Sequence, residues 1–167
     1  MKSALRFLAA ALITVALPAM ADAQSASILA TAQVQQQLTV AKDQDLTLGN
    51  AFPGTTRTVL PTDAASGAFQ LTGAPNAEIT VNLTLPTNLV SGSNNLPITF
   101  GASSAAWNLT NSRAGTTAFN PVSTLTRRVD ATTGKLWVFI GGSVSPTTQP
   151  AGLYTGTITL NAAYTGN

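Results

Sequence analysis

Two aspartates one residue apart, Asp43 and Asp45, stand beside Lys42 in "AKDQDLTLG", the spacing of two ligands in a calcium loop. The rest of such a loop is missing: no glycine occupies its turn position and no glutamate closes it. A serine nucleophile needs a base, and the chain has no histidine. The amines left for that role are Lys42 and Lys135, and neither stands in a Ser-x-x-Lys or Gly-x-Ser-x-Gly setting. Glycoside cleavage needs two carboxylates flanking one bond. Beyond residue 23 the chain offers Asp43, Asp45, Asp63, Glu78 and Asp130, and nothing in their spacing pairs them. The absence of cysteine removes disulfides and thiolate ligands as well. Trp137 lies in "KLWVFI", apolar on both faces, and reads as core, whereas Trp107 in "SSAAWNLTN" reads equally as an exposed contact or a cap on the core. The expectation is a non-enzymatic protein with no catalytic, metal or cofactor site.

With chemistry so sparse, the elements carry the information. Lys2 and Arg6, the apolar run Phe7 to Leu17 and the small residues Ala21-Asp22-Ala23 predict an export signal over residues 1–23. Its apolar run is shorter than the roughly 20 residues a spanning helix needs, so no membrane insertion of the mature chain is expected. Removing it leaves 144 of the 167 residues, enough for one domain with a real core. The formal charge then falls from +2 to +1, which is no footprint for nucleic acid or anionic lipid.

Period-2 alternation recurs through the mature chain, broken by Gly, Pro, Asn and Ser at intervals of about 8–12 residues. "ILATAQVQQQLTV" places Ile28, Ala30, Ala32, Val34, Leu38 and Val40 on one face, interrupted by Gln36, with Thr and Gln opposite after Leu29. The 21 residues from Gln24 to Gln44 thus have room for one long strand. "DLTLG" (45–49), "TTRTVL" (55–60), "GAFQLTG" (67–73) and "EITVNLTL" (78–85) read as further strands. So do residues 98–101 after a turn at 91–95, and a short stretch around 107–110. "STLTRRVD" and "KLWVFIGGSV" flank the turn "ATTG" and read as a hairpin. "GLYTGTITLNAAY" (152–164) alternates throughout, with Tyr154, Ile158, Leu160 and Tyr164 facing one way.

Seven to ten strands without helices predict an all-β fold, an antiparallel immunoglobulin-like β-sandwich, with a closed barrel as runner-up. The domain plan is a leader (1–23), an N-terminal strand segment (24–44) and a sandwich body (45–167). The side-chain pattern leaves open whether the N-terminal strand pairs within its own domain or in a neighbour's.

The pieces "ATAQVQQQLTVAKDQDLTLGNAF", "GAFQLTGAPNAEITVNLTLP" and "QPAGLYTGTITLNAAY" resemble the bacterial family of exported domains of unknown function numbered 4402. The ending, with Tyr164 near the C-terminus, is also similar to archaic chaperone–usher pilus subunits and spore-coat-U-like domains. That resemblance implies a sandwich lacking one strand, completed by the N-terminal strand of a neighbour. It further implies a periplasmic chaperone and an outer-membrane usher as partners, with copies of the chain or related subunits. The location implied is the periplasm in transit and then the cell surface or medium, and the role fimbrial and adhesive. Two functions are carried forward: a structural subunit of a surface fibre joined by strand complementation, or a self-complete monomeric sandwich binding a ligand such as a glycan.

Overall fold

The computed structural model describes residues 25–32, 34 and 36–166, so the expected leader lies outside the described residues. Twelve strands occur among them, and no helix. They are β1 (Thr39–Gln44), β2 (Arg57–Val59), β3 (Gly67–Thr72), β4 (Glu78–Thr84), β5 (Asn88–Ser91) and β6 (Asn94–Thr99). The second half holds β7 (Ala105–Asn108), β8 (Thr117–Phe119), β9 (Leu125–Arg128), β10 (Lys135–Ile140), β11 (Gly142–Val144) and β12 (Thr159–Tyr164). All pairings are antiparallel, in three sheets ordered β1-β3-β10-β7-β8, β2-β11-β6-β5 and β12-β4-β9.

The main core lies between the first and third sheets. Leu71 of β3 and Leu136 and Val138 of β10 meet Ile79 and Val81 of β4, Leu125 of β9 and Leu160 of β12. Alternate side chains of each strand supply this layer, which is what makes the fold a β-sandwich. β10 is the exception to alternation. Its other face buries Trp137 and Phe139 against Ala68, so the strand is covered on both sides, as its unbroken apolar run predicts. A third cluster of Leu96, Ile98 and Val144 fills the second sheet's inner face.

Several expected elements differ. The segment from 28 to 40 is not one strand. β1 starts at Thr39, with Val40 opposite Leu71 and Leu38 half-buried against the main core. Ile28, Ala30, Ala32 and Val34 lie outside any strand and are exposed. The residues before the body therefore hold a body strand and, ahead of it, an unladdered apolar-alternating arm.

"DLTLG" forms no strand, and of the long C-terminal element only 159–164 joins a ladder. β9 and β10 are not a hairpin: β9 pairs with β4 and β10 with β3 and β7. The turn between them is closed by Asp130 N–H to Lys135 O (2.9 Å) and Gly134 N–H to Asp130 O (3.0 Å), yet it carries the chain from one sheet to the other. Leu125 and Val138 both need the core, and placing their strands face to face buries both. β5 and β8 were not expected. β5 pairs with β6 across a turn whose Gly92 has φ +58°.

A candidate strand-acceptor groove

β1 leaves its ladder abruptly. The register with β3 shifts between Lys42 and Gln44, a bulge that bends the strand away. Arg113, in the loop between β7 and β8, fixes the bend. Its Nε donates to the Ser66 hydroxyl (2.9 Å), and its NH2 donates to Gln44 Oε1 (3.0 Å) and the Ser66 carbonyl (3.2 Å). The guanidinium lies 5.1 Å from the centre of the Phe139 ring, and Gln44 Nε2 donates to the Ala64 carbonyl (2.6 Å). Ser66 is fully buried, so Arg113 satisfies a hydroxyl that water cannot reach.

Past the bend, Leu46 to Pro53 form one wall of a groove of about 990 Å³, and Pro150 to Ile158 form the other. The floor is apolar: Phe69 and Ile140 from the first sheet, and Leu89, Leu96, Ile98 and Val144 from the second. Among the described residues, Lys42 and Asp45 are the only charged ones in its lining, and they pair with each other at 3.0 Å.

Both walls keep the alternation of a strand without a ladder. Leu46 and Leu48 turn inward with exposed residues between them, as do Tyr154 and Ile158. Among the described residues, the backbone of Leu46–Pro53 bonds to other backbone only through Thr47 N–H to Ala65 O (2.9 Å) and Thr55 N–H to Phe52 O (3.0 Å). That of Pro150–Ile158 does so only through Thr155, which exchanges bonds of 2.7 and 3.0 Å with Val90. The second wall runs close to β5 at Gly156. A Cβ there would stand 2.7 Å from the Leu89 side chain. Two edges whose backbone has few ladder partners among the described residues, over an apolar floor, form a template for an added strand.

At the other end of β1 a single hydroxyl ties three parts of the body. Tyr164 Oη donates to the Gln36 carbonyl (2.8 Å) and accepts from Ala74 N–H (2.7 Å). It lies over Gly73, where a Cβ would come within 2.6 Å of that oxygen. Gln36 itself is exposed. On the N-terminal side of this tie, Ile28 and Val34 are each 96% exposed.

The expected site residues therefore separate. Leu38 and Val40 belong to the body, and Ile28, Ala30, Ala32 and Val34 to the arm. Leu160 is core, Tyr154 and Ile158 line the groove, and Tyr164 holds the Gln36 segment. Sequence reading missed the groove walls because they look like paired strands, and it missed Arg113, which no motif marks.

The carboxylates have local tasks. Asp63 accepts from Leu60 N–H (2.8 Å), Asp43 from Asn111 Nδ2 (3.3 Å), and Glu78 from the Thr165 hydroxyl (3.1 Å). Asp130 accepts from both amides and the hydroxyl of the following Thr132-Thr133 pair, and the Thr133 bonds above all hold its carboxyl below the usual range. No group of three metal-ligating side chains occurs among the described residues. Trp107 is half-buried against the core, with the Arg127 guanidinium 4.9 Å from its ring.

The profile of one family, Domain of unknown function (DUF4402), matches residues 26–164. The chain belongs to the DUF4402 family. The match takes in the apolar part of the arm, both groove walls and Tyr164, so the features above lie within the DUF4402 domain. No curated protein matches the chain.

Proposed function

We propose that this DUF4402 protein is a non-enzymatic, exported structural subunit of a surface fibre, joined by β-strand complementation. One observation carries the reading: an open apolar groove whose two walls have the side-chain pattern of strands with, among the described residues, no strand between them. The incomplete immunoglobulin-like sandwich implied by the pilus-subunit resemblance is a fold of this kind, and a periplasmic chaperone and an usher would be its partners before assembly. The exposed arm supplies the complementary pattern, with Ile28, Ala30, Ala32 and Val34 on one face and no charge from Ser25 to Ala41. Full burial stabilises a joint by about 1.5–3 kcal/mol for each of Ile28 and Val34.

The rival reading, a monomeric glycan-binding module, is supported less well. Such a site is commonly built on tryptophan, whereas Trp137 is buried and Trp107 lies under Arg127; of the groove's aromatics, Phe52 is exposed but carries no polar group to orient a sugar.

The test uses the full mature chain with the arm disabled by Ile28→Asp and Val34→Asp. Both residues are exposed, so the body should fold unchanged. A synthetic peptide of residues 25–37 should bind it one to one and raise its melting temperature. A peptide that leaves the melting curve unchanged at millimolar concentration would remove the strand-acceptor reading.

A further inference from the structure

The first wall stands beside an apolar floor with almost no ladder to hold it there. We infer that Arg57 and Arg113 are positioning residues of the groove: they tether this wall at Leu48 and Gln44 and keep the groove in the shape that receives a strand. This rests on the strand-acceptor reading for its use and adds what prepares the site.

Leu46, Leu48 and Ala51 reach the cluster of Leu96, Ile98 and Val144 and remain only partly buried. Burying the rest of their apolar surface favours the wall sinking onto the floor. Among the described residues, one backbone bond ties Leu46–Pro53 to a distant part of the chain, Thr47 N–H to Ala65 O (2.9 Å). The other holds come from side chains. Arg113 NH2 donates to Gln44 Oε1 (3.0 Å) just ahead of the wall, and Arg57 Nε donates to the Leu48 carbonyl (3.0 Å) within it. Bonds from a guanidinium are stronger than those between neutral groups. Among the described residues neither arginine is in an ion pair, so no carboxylate draws it away from the wall.

The loop that carries Arg113 is built for reach. Eight residues, 109–116, join β7 to β8, where a hairpin needs only about two to five. The sheet order puts three strand intervals between β7 and β1, a span of about 14 Å. The Arg113 side chain bridges it, passing the Phe139 ring of β10 and Ser66 ahead of β3. The loop also holds its own shape. Asn108 Nδ2 donates to the carbonyls of Ser112 (2.9 Å) and Ala114 (3.1 Å), and Gly115 turns the chain at φ +73°. At β1 it takes hold twice. Asn111 Nδ2 donates to Asp43, the residue that the register shift skips, and Arg113 donates to Gln44 beside it. Arg57 reaches the wall from β2, which is laddered to β11. Both tethers thus run from paired strands, or the loop that joins them, to a wall without a ladder.

Spin labels on the two walls test this, because the chain has no cysteine of its own. Labels at Asn50→Cys and Thr157→Cys, exposed positions on opposite walls, report the width of the groove. The parent is residues 24–167 with Ile28→Asp and Val34→Asp, and one narrow distance distribution is expected in it. Adding Gln44→Met and Arg57→Gln should shorten or broaden that distribution. These changes leave the Arg113 bonds to Ser66 in place, so the melting temperature should move little. Gln44→Glu in place of Gln44→Met returns an acceptor to Arg113 and should restore most of the width. The untethered chain should bind the peptide of residues 25–37 with an association rate about tenfold lower and an unchanged dissociation rate. A groove in its receptive shape about one tenth of the time captures that much less. An unchanged distance distribution overturns the proposal, whether or not the peptide binds. Unchanged association by a chain whose distances do change overturns it too. An altered distribution, in a chain whose tethered parent binds no peptide, upholds the tethers and removes the strand-acceptor reading.

Discussion

Gly134 has φ +66° and receives the Gly73 N–H on its carbonyl at 2.8 Å. A Cβ there would strike the Gly73 carbonyl oxygen. Gly134→Ala should therefore destabilise the body by about 2–3 kcal/mol, from backbone strain and a contact with no flexible partner. The urea midpoint measures it. Four residues earlier, Asp130 answers to pH. Its folded pKa lies below the unfolded value near 3.8, because Thr133 and Thr132 donate to the ionised form. The stability it contributes is thus present above pH 3.8 and is lost as pH falls through the lower folded value. In Asp130→Asn that part of the acid dependence should vanish, seen as a shallower decline of the urea midpoint between about pH 5 and 2. Arg113→Ala should cost about 2–3 kcal/mol, since it leaves the buried Ser66 hydroxyl unpartnered and uncovers Phe139.

At the scale of elements, the walls decide the behaviour. Apart from Thr47 and Thr155, their amides lack backbone partners, so in the isolated chain Leu46, Leu48–Ala51 and Gly156–Ile158 should exchange with solvent far faster than β3, β4 and β10. Addition of the arm peptide should slow them selectively, and protection elsewhere should stay unchanged. These walls also show what alternation encodes. "EITVNLTL" and "GAFQLTG" were legible as strands because inward residues alternate, and "DLTLG" and "GLYTGTI" alternate equally well. Period 2 reports which side chains face the core; it carries nothing about whether a neighbour fills the hydrogen bonds. The same blindness explains the β9–β10 turn, whose closing residues look like a hairpin while its two strands meet across the core. β8 was invisible for the opposite reason: its three residues are too few to show a period. Arg113 could not be found from sequence, since its partners Gln44 and Ser66 are 69 and 47 positions away.

At the scale of the whole molecule, the sandwich is nearly uncharged where it would join. Assembly driven by apolar burial and backbone pairing should be insensitive to ionic strength, since there is little Coulomb attraction to screen. Oligomer distributions of residues 24–167 at 50 mM and 500 mM NaCl should coincide; a marked shift toward monomer at high salt would point to a charged interface elsewhere. The Tyr164 hydroxyl has a consequence at this scale too. If subunits join as proposed, tension arriving along a captured arm would enter each body near Gln36, whose carbonyl is held by the Tyr164 hydroxyl. Behind it β1 pairs with β3 in an antiparallel ladder, and a pull along β1 would load those bonds together in shear rather than one by one. The hydroxyl would also hand part of the load across to β12 and to the turn at Ala74. In such a chain of subunits, a small tie at the start of a strand would serve as a load-sharing anchor.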